Sequence, residues 1–190
     1  MSAASSWIRT RKFAVSLAAL SVAALLGMIS VSLRAQAVAG PELKPELSSL
    51  AYFAGDWECS GKFDSSGKAI DAHQHFVPDL NGAWLLFRHD DKSPFSYHAL
   101  AEWGWDANRK EFVMTVQDSF GGVRMFHSAG WNSAQLQWDG NAVDIASLPN
   151  QRFSFERLDD LHFKVDYFTQ KNEKWSRVDS STCSKQQIKN

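Results

Sequence analysis

The sequence predicts an all-β fold: an antiparallel up-and-down β-barrel of about ten strands, preceded by a short helix. Three observations carry that expectation. After residue 52 helix periodicity nearly vanishes, and the segments that follow alternate apolar and polar residues with the period of two expected of a half-buried strand. Short clusters of Gly, Asp, Asn and Ser separate those segments, far shorter than the crossover that parallel strands need. The two cysteines, Cys59 and Cys183, fall in the first and last of the segments, where barrel closure would bring them together.

The elements follow in order. Pro45-Glu46-Leu47-Ser48-Ser49-Leu50-Ala51 reads as a short helix, with Pro45 in its first turn and Leu47, Leu50 and Ala51 at helical spacing. Strands are expected at 54–63, 70–78, 83–90, 95–105, 110–118, 122–130, 133–138, 151–157, 161–169 and 174–184. Asp64-Ser65-Ser66-Gly67, Asp79-Leu80-Asn81-Gly82, Asp106-Ala107-Asn108-Arg109, Phe120-Gly121-Gly122, Asp159-Asp160 and Gln170-Lys171-Asn172-Glu173 supply turn chemistry between them. The stretch 139–150 is longer and irregular, a lid or a wide loop. A sandwich also joins its terminal strands, so the cysteine positions favour a barrel without excluding one.

The N-terminus reads as an export signal. Arg9, Arg11 and Lys12 precede an uncharged run from Phe13 to Leu33, and Ala35, Ala37 and Ala39 provide A-x-A cleavage sites. Residues 1–37 are thus expected as a signal peptide, 38–46 as a linker and 47–190 as the barrel domain, periplasmic or secreted. The uncharged run is also long enough to remain as a membrane anchor if cleavage does not occur. All 21 acidic residues lie beyond residue 37 but only 16 of the 20 basic ones do, which gives the exported part a formal charge of −5. An acidic balance argues against nucleic acid and against docking on anionic membranes. In an oxidising compartment Cys59 and Cys183 most simply pair, although buried free thiols or one reactive thiol are the alternatives.

Leu50-Ala51-Tyr52-Phe53-Ala54-Gly55-Asp56-Trp57, with Gly61 four residues on, resembles the opening of calycin-type barrels, in which a short helix leads into a G-x-W strand. Nitrobindin-like proteins and an uncharacterised bacterial group begin this way. Gly104-Trp105-Asp106, Phe112 and Val116-Gln117-Asp118-Ser119 are similar to the G-Y-D…Y…W-x-D-S pattern of that bacterial group, with Trp105 in place of Tyr and Val116 in place of Trp. The resemblance spans roughly residues 47–138 and implies a barrel with an internal cavity and no assigned reaction. Nitrobindin-like proteins bind haem through a His near the C-terminus, whereas the last expected strand here, Lys174 to Ser184, has none. No cofactor is therefore expected; were haem bound, His127 and then His75 would be the candidates.

His73 and His75 lie two apart on a strand and share a face, a spacing used in β-scaffold metal sites. His89, His127, Asp71 or Glu102 would have to supply a third ligand, and none completes a known spacing, so a solvent-facing polar stripe is the plainer reading. Phe95, Tyr97, Ala99, Ala101, Trp103 and Trp105 alternate along one strand, as do Leu85 and Phe87 before it and Val123, Met125 and His127 after it. Facing inward, they form either a packed core or a pocket, in which Ala99 and Ala101 leave volume and Met125 adapts. Trp57 is expected to plug one barrel end. No G-x-S-x-G sequence and no phosphate-binding loop is present.

The leading functional expectation is a non-enzymatic binder of a small apolar or amphipathic molecule. Phe87, Tyr97, Ala99, Ala101, Trp103 and Met125 would line its site, with His127 as polar anchor. A hydrolase or isomerase using a His/carboxylate pair in the cavity is the first alternative. A filled barrel that presents loops to another protein is the second.

Overall fold

A computed structural model describes residues 41–92, 96–141 and 149–187. The expected export signal and Phe95 lie outside the described residues. Eleven strands form one antiparallel sheet: β1 (Gly55–Phe63), β2 (Ala69–Asp79), β3 (Trp84–Asp91), β4 (His98–Asp106), β5 (Glu111–Asp118), β6 (Val123–Ser128), β7 (Trp131–Asn132), β8 (Gln135–Asn141), β9 (Gln151–Arg157), β10 (His162–Lys171) and β11 (Lys174–Lys185). Each pairs with its chain neighbour, β6 skips to β8, and β1 pairs with β11. The result is a closed ten-stranded barrel with β7 as a short extra strand. Closure leaves no long edge open for another chain to extend.

Cys59 lies opposite Cys183 in the β1–β11 register, and the two form a disulfide across the closing seam. The bridge spans 124 residues of sequence, which in the chain-entropy account contributes about 4–5 kcal/mol.

The leading helix is a 3₁₀ segment, Pro45–Phe53. Its buried residues are Leu47, Leu50 and Phe53, spaced by three as a 3₁₀ helix eclipses its side chains. The expectation of helical spacing through Ala51 is corrected accordingly: Ala51 is exposed and Phe53 takes the buried position. The chain is fixed slightly earlier, because Leu43 is buried and the Lys44 N–H donates to Gly82 O at 2.9 Å. Gly82 has a φ of +76°, and a Cβ there would sit 1.9 Å from Glu42 O. Only glycine lets the β2–β3 turn approach this segment so closely.

β7 was not expected. Trp131 on it stacks on Phe53 with centroids 5.7 Å apart and donates from Nε1 to Ser49 O at 3.1 Å. A two-residue strand is too short to show alternation. The irregular stretch begins later than expected, since β8 runs to Asn141; residues 142–148 lie outside the described residues. No helix among the described residues is long and apolar enough to cross a membrane.

Candidate functional site

Alternation and the strand register decide which side chains enter the barrel. From β2 to β5 they include Gln74 and Phe76, Leu85, Phe87, His89 and Asp91, Tyr97, Ala99, Ala101 and Trp103, then Met114, Val116 and Asp118. From β6 onward Arg124, Phe126, Trp138, Phe153, Phe155, Phe163, Tyr167, Asp179 and Cys183 continue the inner surface.

The interior divides along the barrel axis. At the end carrying the 3₁₀ segment, rings fill the lumen. Phe53 packs edge-on to Trp103 (5.2 Å), Phe155 (5.5 Å) and Phe163 (5.4 Å) and stacks on Phe76 at 5.4 Å. Trp103 also meets Trp138 at 5.0 Å. Trp57, fully buried, donates from Nε1 to Phe53 O at 2.6 Å and packs on Phe163, in keeping with its expected place as an end plug.

Toward the other end, where β1–β2, β3–β4 and β5–β6 connect, the lining becomes polar. His89 Nε2 donates to Asp91 Oδ1 at 2.8 Å, and Gln74 Nε2 lies 3.2 Å from His89 Nδ1. Across the lumen Arg124 pairs with Asp118 and donates to the Tyr97 hydroxyl at 3.3 Å. Asp118 also accepts from Phe120 N–H and Gly122 N–H, so one carboxylate both shapes the β5–β6 turn and neutralises the inward guanidinium. Tyr167 packs on Phe153 at 4.9 Å, and burial pushes its phenol up to about 12; burial also raises Tyr97. Asp179, opposite Tyr167 on β11, has its carboxyl pushed up to about 6. Burial is the main cause, opposed by His89 and reinforced by Asp64, Asp166 and Asp91.

This polar belt keeps unused hydrogen-bonding capacity. Gln74 is 4% exposed and Gln151 8%, and neither side-chain oxygen has a partner among the described residues. Arg124 Nε is likewise unpaired. Asp179 accepts no hydrogen bond and makes no ion pair among the described residues. Buried polar groups are normally satisfied, so a cluster of free ones facing a lumen marks where water or a ligand supplies the partner.

Of the expected lining residues, Phe87, Tyr97, Ala99, Ala101 and Trp103 face inward. Met125 and His127 do not, and their assignment to the interior is corrected. On β6 Phe126 and Ser128 are buried and Arg124 turns in to Asp118, so their neighbours point out. Met125 is 45% exposed, and His127 lies 3.0 Å from Glu111 on the outer face. The misreading has a physical source: an arginine between Val123 and Met125 reads as the solvent side unless its inward partner, Asp118, is known.

His73 and His75 also face outward. His75 Nδ1 is 2.8 Å from Asp56, and His73 lies between Asp56 and Glu58 at 3.1 and 3.2 Å. No group of three His, Cys, Asp or Glu among the described residues is placed to hold a metal ion. Neither His127 nor His75 presents its ring to the lumen, so the residues named for haem do not fit an interior haem. Sequence reasoning missed Gln74, Asp91, Arg124, Tyr167 and Asp179, and named His89 only as a possible third metal ligand; the usable signal was that His89 and Asp91 continue the alternation of Leu85 and Phe87. Outside the barrel, Arg88, His98, Leu100, Gln117 and Ser119 border a shallow depression open to solvent.

No protein-family model matches the chain, and no curated protein matches it. Among solved structures the fold is similar to that of Rv2717c from M. tuberculosis, with a TM-score of 0.56 at 9% identity, covering 77% of this chain and all of that one. A de novo designed fluorescence-activating β-barrel aligns with a TM-score of 0.39 and 15% identity over 72% of this chain and 95% of that one. A redesigned β-barrel aligns at 0.35 and 12%, over 73% and 96%. At these identities the likeness to Rv2717c is one of fold: a closed, ten-stranded antiparallel barrel.

Proposed function

We propose that the protein is an exported, calycin-like barrel that binds a small amphipathic molecule without transforming it. The observation that carries this reading is the divided interior. The apolar part of a ligand would rest against Phe87, Ala101, Val116 and Phe153, and its polar end would reach Tyr97, Arg124, Tyr167 and Asp179. A preformed site with apolar walls and a few convergent polar groups is the usual form of a small-molecule pocket. The Cys59–Cys183 bridge supports work in an oxidising compartment. The G-x-W opening after the 3₁₀ segment supports kinship with the nitrobindin-like and uncharacterised calycin-type barrels.

A His/carboxylate enzyme is the second reading, favoured by the His89–Asp91 pair inside the barrel. Both nitrogens of His89 are engaged, however, one by Gln74 and one by Asp91, leaving none free to take a substrate proton. That weighs toward binding. Native mass spectrometry of the full chain purified from its own host tests the proposal. A stoichiometric adduct of small-molecule mass that denaturation releases is expected. Ligand-free protein, together with no heat of binding across neutral and charged amphiphiles, would refute it.

A further inference from the structure

The polar belt is not neutral. Its carboxylates are Asp91, Asp118 and Asp179, and its one inward guanidinium, Arg124, is paired with Asp118. Asp91 is engaged by His89. Asp179 alone keeps both carboxylate oxygens free among the described residues. The unpaired oxygens of Gln74 and Gln151 are acceptors as well, and both side chains are more than nine-tenths buried. The rings of Tyr97, Phe153 and Tyr167 enter the same region, Tyr97 against His89 and Tyr167 against Phe153. Unused acceptors therefore outnumber unused donors among the described residues of the barrel interior, where the free charged donor, Arg124 Nε, belongs to a group already neutralised.

Resting on the binder reading, we propose that the ligand carries a protonated amine, held by Asp179 and the tyrosine-lined wall, with its apolar portion directed toward Phe87, Val116 and Phe153. An ammonium supplies the donor that Asp179 lacks and offsets the surplus negative charge. A carboxylate ligand would instead have to displace Asp118 from Arg124 and be repelled by Asp179. The charged and titratable groups that act on Asp179 are His89 and Asp91 on β3, Asp64 just after β1, Asp166 and Tyr167 on β10 and Arg177 on β11, and Tyr167 in turn meets Tyr97 just before β4, Asp118 on β5 and Arg124 on β6. Acidification adds positive charge to this set and weakens the hold on a cation.

Calorimetric titration of the full, disulfide-bonded chain with decylammonium, decanoate and 1-decanol, each below its micelle concentration and at neutral pH, tests this. Decylammonium is expected to bind about tenfold or more tightly than decanoate, the difference of one charge-assisted hydrogen bond. Asp179→Asn is expected to bring decylammonium to within about twofold of decanol, both measured on the same variant. An unreduced melting temperature and an unchanged far-UV circular dichroism spectrum show that the variant is folded. If decanol binds and decanoate matches or exceeds decylammonium, or if Asp179→Asn leaves the preference intact, the charge assignment falls and the binder reading stands. If none of the three binds, both fall.

Discussion

The two ends of the barrel interior are built by the same strands with the same alternation, yet they are opposites. At the 3₁₀ end, Phe53, Phe76, Trp103, Phe155 and Phe163 leave the lumen filled by rings. Two or three residues along each strand, the lining is Gln74, His89, Asp91, Tyr97, Asp118, Arg124, Tyr167 and Asp179. Burial of rings stabilises the first region, while burial of an unpaired carboxylate costs stability in the second. Groups kept at such a cost are where function is to be sought, because packing alone would have replaced them.

Removing the seam that holds both regions has the largest expected effect. Cys59 and Cys183 sit between Trp57 on the packed side and Gly61 on the polar side. Cys59→Ser with Cys183→Ser is expected to lower stability by about 4–5 kcal/mol, from the loop entropy restored to the unfolded chain. Urea unfolding checks it: the midpoint should drop, and a loss below about 1 kcal/mol would mean that the seam's hydrogen bonds suffice without the bridge. Next comes the packed end itself. Trp103→Ala removes the ring shared by Phe53, Phe76, Phe87 and Trp138 and should cost about 3–5 kcal/mol.

At the polar end the sign reverses. The folded state raises the Asp179 carboxyl from 3.8 to about 6, so between those values folded protein holds a proton that unfolded protein has released. Stability from this group is therefore lost as pH rises through the window and restored as it falls. Asp179→Asn should raise stability at neutral pH by about 2 kcal/mol, with the advantage fading toward pH ~4. Glu58, Asp64, Asp90, Asp106 and Asp159 are all shifted downward by their partners and destabilise on acidification, so the comparison must be variant against wild type at each pH. A difference that stays flat with pH would show that Asp179 is not the group responding.

The same contrast explains what was legible in the sequence. Ten strands and the closing disulfide follow from period-two alternation, turn residues and cysteine positions, all local signals. The apolar half of the interior is legible for the same reason: Ala99, Ala101 and Trp103 stand on one face of β4, and Tyr97 just before it continues the alternation. The polar half is not, because inward Asp118, Arg124 and Asp179 look like solvent residues until the fold sets them beside one another. Arg124 is the sharpest case, since its inward turn rests on Asp118, whose pairing across the β5–β6 hairpin no alternation rule reports. The 3₁₀ segment blurred for a different reason: periods of 3.0 and 3.6 diverge by only one residue between Leu47 and Ala51.

The smallest expected effect isolates that error. Met125 stands on the outer face of β6, 45% exposed, where truncation removes little apolar contact. Met125→Ala should change stability by less than about 0.5 kcal/mol and leave ligand affinity unaltered. Arg124→Met, one residue earlier, strips the guanidinium from Asp118 and leaves a buried carboxylate, 4% exposed, with only the turn amides as partners. It should cost about 2–4 kcal/mol, since an orphaned buried charge is worse than an absent pair. Adding Asp118→Asn to Arg124→Met should then recover part of the loss, a sign that contact loss alone cannot produce. If Met125→Ala proved the costlier of the two single changes, the facing of β6 would be reversed, and with it the polar belt that separates one end of the barrel from the other.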